Sequence, residues 1–267
     1  MTIDVNSNPF KYYHKFHYYL GFKYIVNREI TTKGGLERIL DYGCGDGQFI
    51  STLSTKSKKL YGFDVDSGKI KIAKKRYPSI HFNFRKKNGS LPHKSDFFDT
   101  VIFFHTLEHV DSEIDSINEI FRVLKRGGVL YIASPYQGLF SFFDLANIRY
   151  KFPKLHKLLY ESLIGKKEYR DNFVAVKKGA LYGDCSDNRN WHKHYREKEI
   201  NRLLEKKFRV QLLMKYSLFS YLLLVPYNLY HMLFKRESKL FNFLIWLDGK
   251  IKLGDLSSNF FLVAAKK

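Results

Sequence analysis

Short apolar runs alternating with longer helical segments predict an α/β fold, a parallel sheet covered by helices on both faces. Three observations carry this. Apolar runs of strand length recur at 38–42, 59–64, 80–84, 99–104 and 128–133. Segments with helical spacing, such as 111–125, lie between them. The first run passes into a glycine loop, Gly43-Cys44-Gly45-Asp46-Gly47, with Asp41 at the strand tip. Ligands of such sheets bind beyond the carboxyl ends of the strands, where this loop would sit.

Taken in order, the elements point to that same edge. Glycines at three alternate positions let a ligand approach the backbone, because a side chain at any of them would fill the space. A helix beginning near Asp46 would turn its free N–H groups and positive end toward the same spot. The second strand ends on Asp64 and is followed by Val65. The third leads into Lys87-Asn88-Gly89, and the fourth, Phe98 to Phe104, delivers His105, Glu108 and His109 just past its end. The fifth follows the turn Lys125-Arg126-Gly127-Gly128. Farther on, Tyr195 to Glu205 has helical spacing, Phe208 to Met214 reads as a strand, and Phe260 to Ala265 closes the chain as another. The segment Phe10 to Ile30 predicts an aromatic, histidine-rich helix that either lids the ligand or packs on the core.

Spacing separates two ligand classes. A dinucleotide site needs G-x-G-x-x-G, which seats pyrophosphate on a helix N-terminus. Here the register is G-x-G-x-G, and Gln48 occupies the place of the last small residue. The run Ile39 to Gly47 instead resembles the first motif of the class I S-adenosylmethionine-dependent methyltransferases. Leu60-Tyr61-Gly62-Phe63-Asp64 resembles that family's second strand, which ends in an acid. Leu91-Pro92, Phe98-Asp99 and Leu107-Glu108-His109-Val110 resemble its L-P, F-D and L-E-H-V signatures. Leu124-Lys125-Arg126-Gly127-Gly128-Val129-Leu130 is similar to the turn before its fifth strand. The likeness covers residues from about 37 to 135 and thins beyond them.

The resemblance implies a Rossmann-like sheet of seven strands. Most would be parallel, and the antiparallel last strand would be inserted beside the fifth; helices would cover both faces, with added helical lid segments. It implies S-adenosyl-L-methionine as cofactor, held by Asp41, Gly43, Cys44, Gly45, Gly47, Asp64, Val65, Asn88 and His105. Asp64 would accept the ribose hydroxyls. Relatives place an acid beside the adenine where this chain has Lys87-Asn88. Lys87 cannot accept a hydrogen bond from the adenine amine, so that contact falls to Asn88.

Methyl transfer from a sulfonium is an in-line displacement, so the protein aligns the two centres and removes a proton from a hydroxyl acceptor. His105 is the first candidate for the base or for the wall beside the cofactor; Glu108 and His109 support the loop. Relatives that bind a divalent cation at this Glu-His pair carry an acid at the position of His105, so no metal is assigned. A second cluster, Trp191-His192-Lys193-His194-Tyr195, resembles the element before the family's last core helix. There His192 either reaches the acceptor or caps the helix. The chain lacks the N-P-P-Y-like tetrapeptide of amine methylation and the Pro-Cys nucleophile of cytosine methylation. The favoured reaction is O-methylation, ahead of N- or C-methylation, of a small, lipid-linked or saccharide acceptor. RNA-associated methylation and a non-catalytic cofactor-binding scaffold are the alternatives.

The remaining bounds come from composition. A chain of 267 residues, 17% aromatic, can bury a sizeable core. Its net charge of +20 is spread through the chain and fits nucleic acid, anionic lipid or a solvated surface equally. Two cysteines, Cys44 and Cys185, make neither a disulfide framework nor a zinc site, which suits a reducing compartment. Cys44 packs beneath the loop. No apolar signal core opens the sequence, so the expected location is cytoplasmic. The stretch Ser217 to Phe234 carries no formal charge, yet Pro226, Asn228 and His231 interrupt it. It reads as a lid or an interfacial anchor on an anionic membrane rather than a span. The expected organisation is a lid at 1–36, a cofactor core at 37–135, an acceptor-side insertion at 136–195, and the rest of the core at 196–267 with the apolar helical insert 216–247.

Overall fold

Seven strands form one sheet: β1 (Glu37–Tyr42), β2 (Lys58–Asp64), β3 (His81–Phe84), β4 (Phe98–Phe104), β5 (Leu124–Pro135), β6 (Phe208–Tyr216) and β7 (Asn259–Lys266). Their order is β3-β2-β1-β4-β5-β7-β6. The computed structural model describes residues 37–53, 58–84, 90–144, 147, 151–163, 165–170, 193–219, 221–223, 226–227, 230, 234 and 238–267. The helix expected at 10–30 and the residues Asn88, Cys185 and His192 lie outside these. Strands β1 to β5 pair in parallel, and β7 runs antiparallel to both β5 and β6. The last strand thus sits beside the fifth, as the resemblance implied.

Alternation along the central strands divides the interior into two cores. Val101 and Phe103 of β4 face one layer, with Leu130 and Ile132 of β5 and Leu262 and Ala264 of β7. Ile102, Phe104, Tyr131, Ala133 and Phe261 face the other. Such strands, buried on both sides, read as continuous apolar runs. The described helices are α1 (Gln48–Ser51), α2 (Ser67–Arg76), α3 (Glu113–Val123), α4 (Pro153–Leu163), α5 (Lys166–Tyr169), α6 (Glu197–Leu204) and α7 (Lys239–Asp248). Ile70 and Ala73 of α2 fill the second core; Ile117, Ile120 and Val123 of α3, with Ile200 and Leu204 of α6, fill the first. Three- and four-residue spacing puts each set on one helix face.

Local chemistry sets where these helices begin. The Asp66 carboxylate caps α2 by accepting from Gly68 N at 2.9 Å and Lys69 N at 3.0 Å. Ser112 Oγ caps α3 by accepting from Asp115 N, and Glu113 and Asp115 lie in its first turn, where the helix dipole favours acids. At α6 the Glu199 side chain reaches back to Arg196 N at 2.9 Å.

The apolar insert opens on a turn, and its described residues 221–223, 226–227, 230 and 234 are helical. Tyr216 ends β6; Ser217, at φ 65°, turns the chain, and α7 begins only at Lys239. The excursion leaves and returns at one point: Ser217 N donates to Ile251 O at 2.9 Å, and Ser258 N donates to Ser217 O at 2.6 Å. Asp248, at the end of α7, is buried and accepts from Ser217 Oγ, from Leu218 N at 2.9 Å and from Phe219 N at 2.8 Å. Among the described residues no helix is long and apolar enough to cross a membrane.

Candidate active site

The parallel register brings Asp41 and Asp64, among the last residues of β1 and β2, and His105, just past β4, to the same carboxyl edge of the sheet. Between them runs the glycine loop, whose backbone is stitched to the second strand. Gly43 N and Cys44 N donate to Phe63 O at 2.7 and 2.9 Å, Gly47 N to Cys44 O at 3.0 Å, and Gly45 N to Asp64 Oδ2 at 2.8 Å. Asp64 Oδ1 accepts from Asp66 N at 2.9 Å. The Asp64 carboxylate is therefore fixed in place by two backbone donors and retains lone pairs for further donors. Val65, half-buried, packs against the first core beside it.

The loop's three glycines have different reasons to be glycine. All have positive φ, at 89°, 55° and 78° for Gly43, Gly45 and Gly47. A Cβ on Gly43 would come within 2.2 Å of Thr106 Oγ1, and one on Gly47 within 2.6 Å of Phe82. At Gly45 the nearest atom would be Lys69 Cδ, 4.0 Å away. Gly43 and Gly47 are thus demanded by protein packing, and Gly45 alone leaves its side-chain space open. The helix expected near Asp46 begins at Gln48 and is a single turn, α1, so the fixed carboxylate rather than a long helix dipole dominates the chemistry here.

Burial shapes the titratable groups. Asp41 is buried, and burial followed by the charge of Asp64 pushes its carboxyl up to about 8. Cys44 lies under the loop, against the space a Gly62 side chain would take. Burial, then Asp41 and Asp64, push its thiol far above the usual range, which makes it an inert packing group.

Past β4 the chain turns sharply. His105 has φ 45°, a left-handed conformation costly for a side-chain-bearing residue, and its amide is held by Ala133 O at 2.8 Å. The 3₁₀ turn Leu107–His109 follows and buries Glu108. Glu108 Oε2 accepts from Ser134 Oγ of β5 at 2.6 Å, while Oε1 lies 3.3 Å from His105 Nδ1. Ser134, Glu108 and His105 form a chain that aims the imidazole. Tyr216, at the end of β6, is buried near Glu108; burial and that carboxylate hold its hydroxyl protonated. Among the described residues no group of three or more His, Cys, Asp or Glu is placed to hold a metal ion.

The second histidine cluster holds a buried pair that sequence reasoning missed. His194, two residues after His192, has Nε2 3.0 Å from Asp144 Oδ2, both side chains nearly buried. Its ring meets Tyr221 edge-on at 5.5 Å. Tyr195, adjacent, turns the other way, and its single O–H is shared between Glu113 Oε1 at 2.7 Å and Leu107 O at 2.9 Å. The available signal was alternation: on an extended segment the residue next to a buried Tyr195 faces the opposite side.

Comparison with known proteins agrees with this geometry. Residues 40–132 match the sequence profile of a methyltransferase domain. The demethylmenaquinone methyltransferase of Tropheryma whipplei is 30% identical over 129 residues, which cover 46% of this chain and 53% of that protein. The chain spans about half the length of the curated relatives it matches. Two solved structures share the fold. The cyclase SpnF superposes with a TM-score of 0.53 at 18% identity, covering 88% of this chain and 76% of its own. The PH0226 protein of Pyrococcus horikoshii does so with a TM-score of 0.51 at 16% identity, covering 99% and 94%.

Proposed function

We propose, from the match of residues 40–132 to a methyltransferase domain, that this chain is a class I S-adenosylmethionine-dependent methyltransferase and methylates an oxygen of a small lipophilic, lipid-linked or saccharide acceptor. The observation that carries this reading is the Asp64 carboxylate latched to Gly45 N beside the open face of Gly45. A fixed acid beside approachable backbone suits a ribose diol, and nothing in the loop offers a pyrophosphate register. When bound, S-adenosyl-L-methionine supplies a methyl group already activated by its sulfonium charge. Asp41, Gly43, Cys44, Gly45, Gly47, Asp64 and Val65 would hold it, with His105 at the reacting end.

His105 is the group assigned to the acceptor proton. Glu108, facing Nδ1, favours a proton on that nitrogen and leaves Nε2 as the basic atom. A relative named for demethylmenaquinone supports a lipophilic acceptor. The anchor reading of 216–247 is supported by α7, which turns Leu240, Phe243 and Leu247 to solvent along one face.

Titration calorimetry with S-adenosylhomocysteine tests the cofactor, and transfer of labelled methyl from S-adenosylmethionine into extracted lipids or saccharides tests turnover. Binding without transfer to any fraction supports the scaffold; absence of binding refutes both readings. In a transfer assay His105→Ala should lower turnover by roughly two to four orders of magnitude while leaving S-adenosylhomocysteine bound. A small rate loss would reduce His105 to a wall residue.

A further inference from the structure

The edge that carries His105 also carries an outward apolar surface no part of the chemistry uses. After β5 the chain presents Leu139, Phe142 and Phe143 to solvent, then Phe152, Leu155 and Leu158. These last three are 46%, 49% and 63% exposed; Leu155 and Leu158, three residues apart, lie on one side of α4, and Phe152 immediately precedes it. The patch is continuous. Phe142 packs against Phe143 at 5.7 Å and against Phe152 at 6.1 Å. At its other end Phe140 stacks on Phe219 at 5.6 Å, next to the turn held by Asp248. Contiguous apolar surface of this sort marks an interaction site in a water-soluble protein.

A second row tells what kind of partner fits. Each of these three residues is preceded by a lysine: Lys151-Phe152, Lys154-Leu155, Lys157-Leu158. The cationic row therefore runs one residue, about 100°, around the helix from the apolar row. Lys151 Nζ lies 4.4 Å above the Phe142 ring, its stem along the patch and its charge at the rim. From 151 to 170 the chain has Lys151, Lys154, Lys157, Lys166, Lys167 and Arg170 against Glu161 and Glu168.

We infer that this face docks on an anionic lipid surface. The apolar row would enter the acyl boundary, and the lysine row would meet the headgroup phosphates. A second copy of the chain fits poorly, because pairing two cation-rimmed faces on molecules of charge +20 is opposed by repulsion. The inference rests on the lipophilic-acceptor reading for its purpose: a membrane-dissolved acceptor would reach His105 from the surface the enzyme sits on. The docking itself stands on the geometry of α4.

Flotation of the full chain with vesicles tests it, comparing phosphatidylcholine alone with phosphatidylcholine plus phosphatidylglycerol at low and high salt. The wild type should float with the anionic vesicles and be released by salt. Leu155→Ser with Leu158→Ser should reduce partitioning by about tenfold or more. Lys154→Glu with Lys157→Glu should do the same on anionic vesicles. These positions are exposed, so the melting temperature should stay at the wild-type value. Ile72→Ser, at an exposed apolar site on α2, should change nothing. Failure of the wild type to bind anionic vesicles would overturn the inference, as would undiminished binding of the α4 variants. Self-association abolished by the serine pair would overturn it too, by assigning the face to a second copy. Vesicle binding by a protein that ignores S-adenosylhomocysteine would leave docking intact and refute only the enzymatic reading.

Discussion

Asp41 binds its proton across a range in which an ordinary aspartate has lost it. Its carboxyl titrates at 3.8 unfolded and at about 8 in the fold, so between those values the unfolded chain has released a proton that the native state keeps. Stability must then fall as pH rises through that window. Urea midpoints should drop between about pH 6 and 8, and Asp41→Asn should remove most of that slope. A cation bound beside Asp41 would pull the carboxyl down again. Titrating S-adenosylmethionine into the protein near neutrality should therefore release a proton, seen as a buffer-dependent heat that Asp41→Asn lacks. The glycines give a second contrast. Gly45→Val should abolish S-adenosylhomocysteine binding in a folded protein, whereas Gly43→Val should lower the melting temperature, since its Cβ meets Thr106. Asp64→Ala should weaken S-adenosylhomocysteine binding by about 1.5 to 3 kcal/mol, the range for hydrogen bonds to a charged group. At this scale the sequence disclosed which residues cluster, because strand-end positions in a parallel sheet converge. It could not disclose that Gly43 and Gly47 answer to Thr106 and Phe82, contacts made across the fold. Nor could it show the positive φ of His105, which depends on the neighbouring strand holding its amide.

The elements were legible to within a few residues where apolar periodicity was strong. β4 and β7 fall at 98–104 and 259–266, close to the apolar runs that announced them. The insert read as helical, its apolar run broken by Pro226, Asn228 and His231, but how it joins the sheet was not legible. There a single buried carboxylate acts: Asp248 gathers the Ser217 hydroxyl and two backbone amides, and so fixes a turn that composition does not encode. Asp248→Ala would strand those amides in a dry place. We expect a loss of about 2 to 3 kcal/mol in urea unfolding, with amide exchange at Leu218 and Phe219 becoming fast, the cost of unsatisfied buried donors. Asp248→Asn keeps one acceptor and should recover part of it. The pair of His194 and Asp144 was invisible for the same reason, since its partners stand fifty residues apart and meet only once β5 and the segment before α6 lie side by side.

Across the whole molecule, strand order has a consequence for how the chain assembles. β7 comprises residues 259–266, every one of them buried, and it bonds to β5 on one side and β6 on the other. Its Lys266 Nζ reaches the Leu124 carbonyl at 2.7 Å, 142 residues back along the chain. A strand synthesised after both of its neighbours is thus the keystone between them. Until it arrives, β5 and β6 each expose an apolar edge with unpaired amides, which is a template for intermolecular pairing. Such long-range closure also slows folding, because the loop entropy is spent before the contacts return it. Nascent chains stalled short of Phe260 should accordingly recruit chaperones or aggregate, while chains carried through Lys266 should resist protease. Production of this protein would then be limited by the time the two open edges wait for their common neighbour.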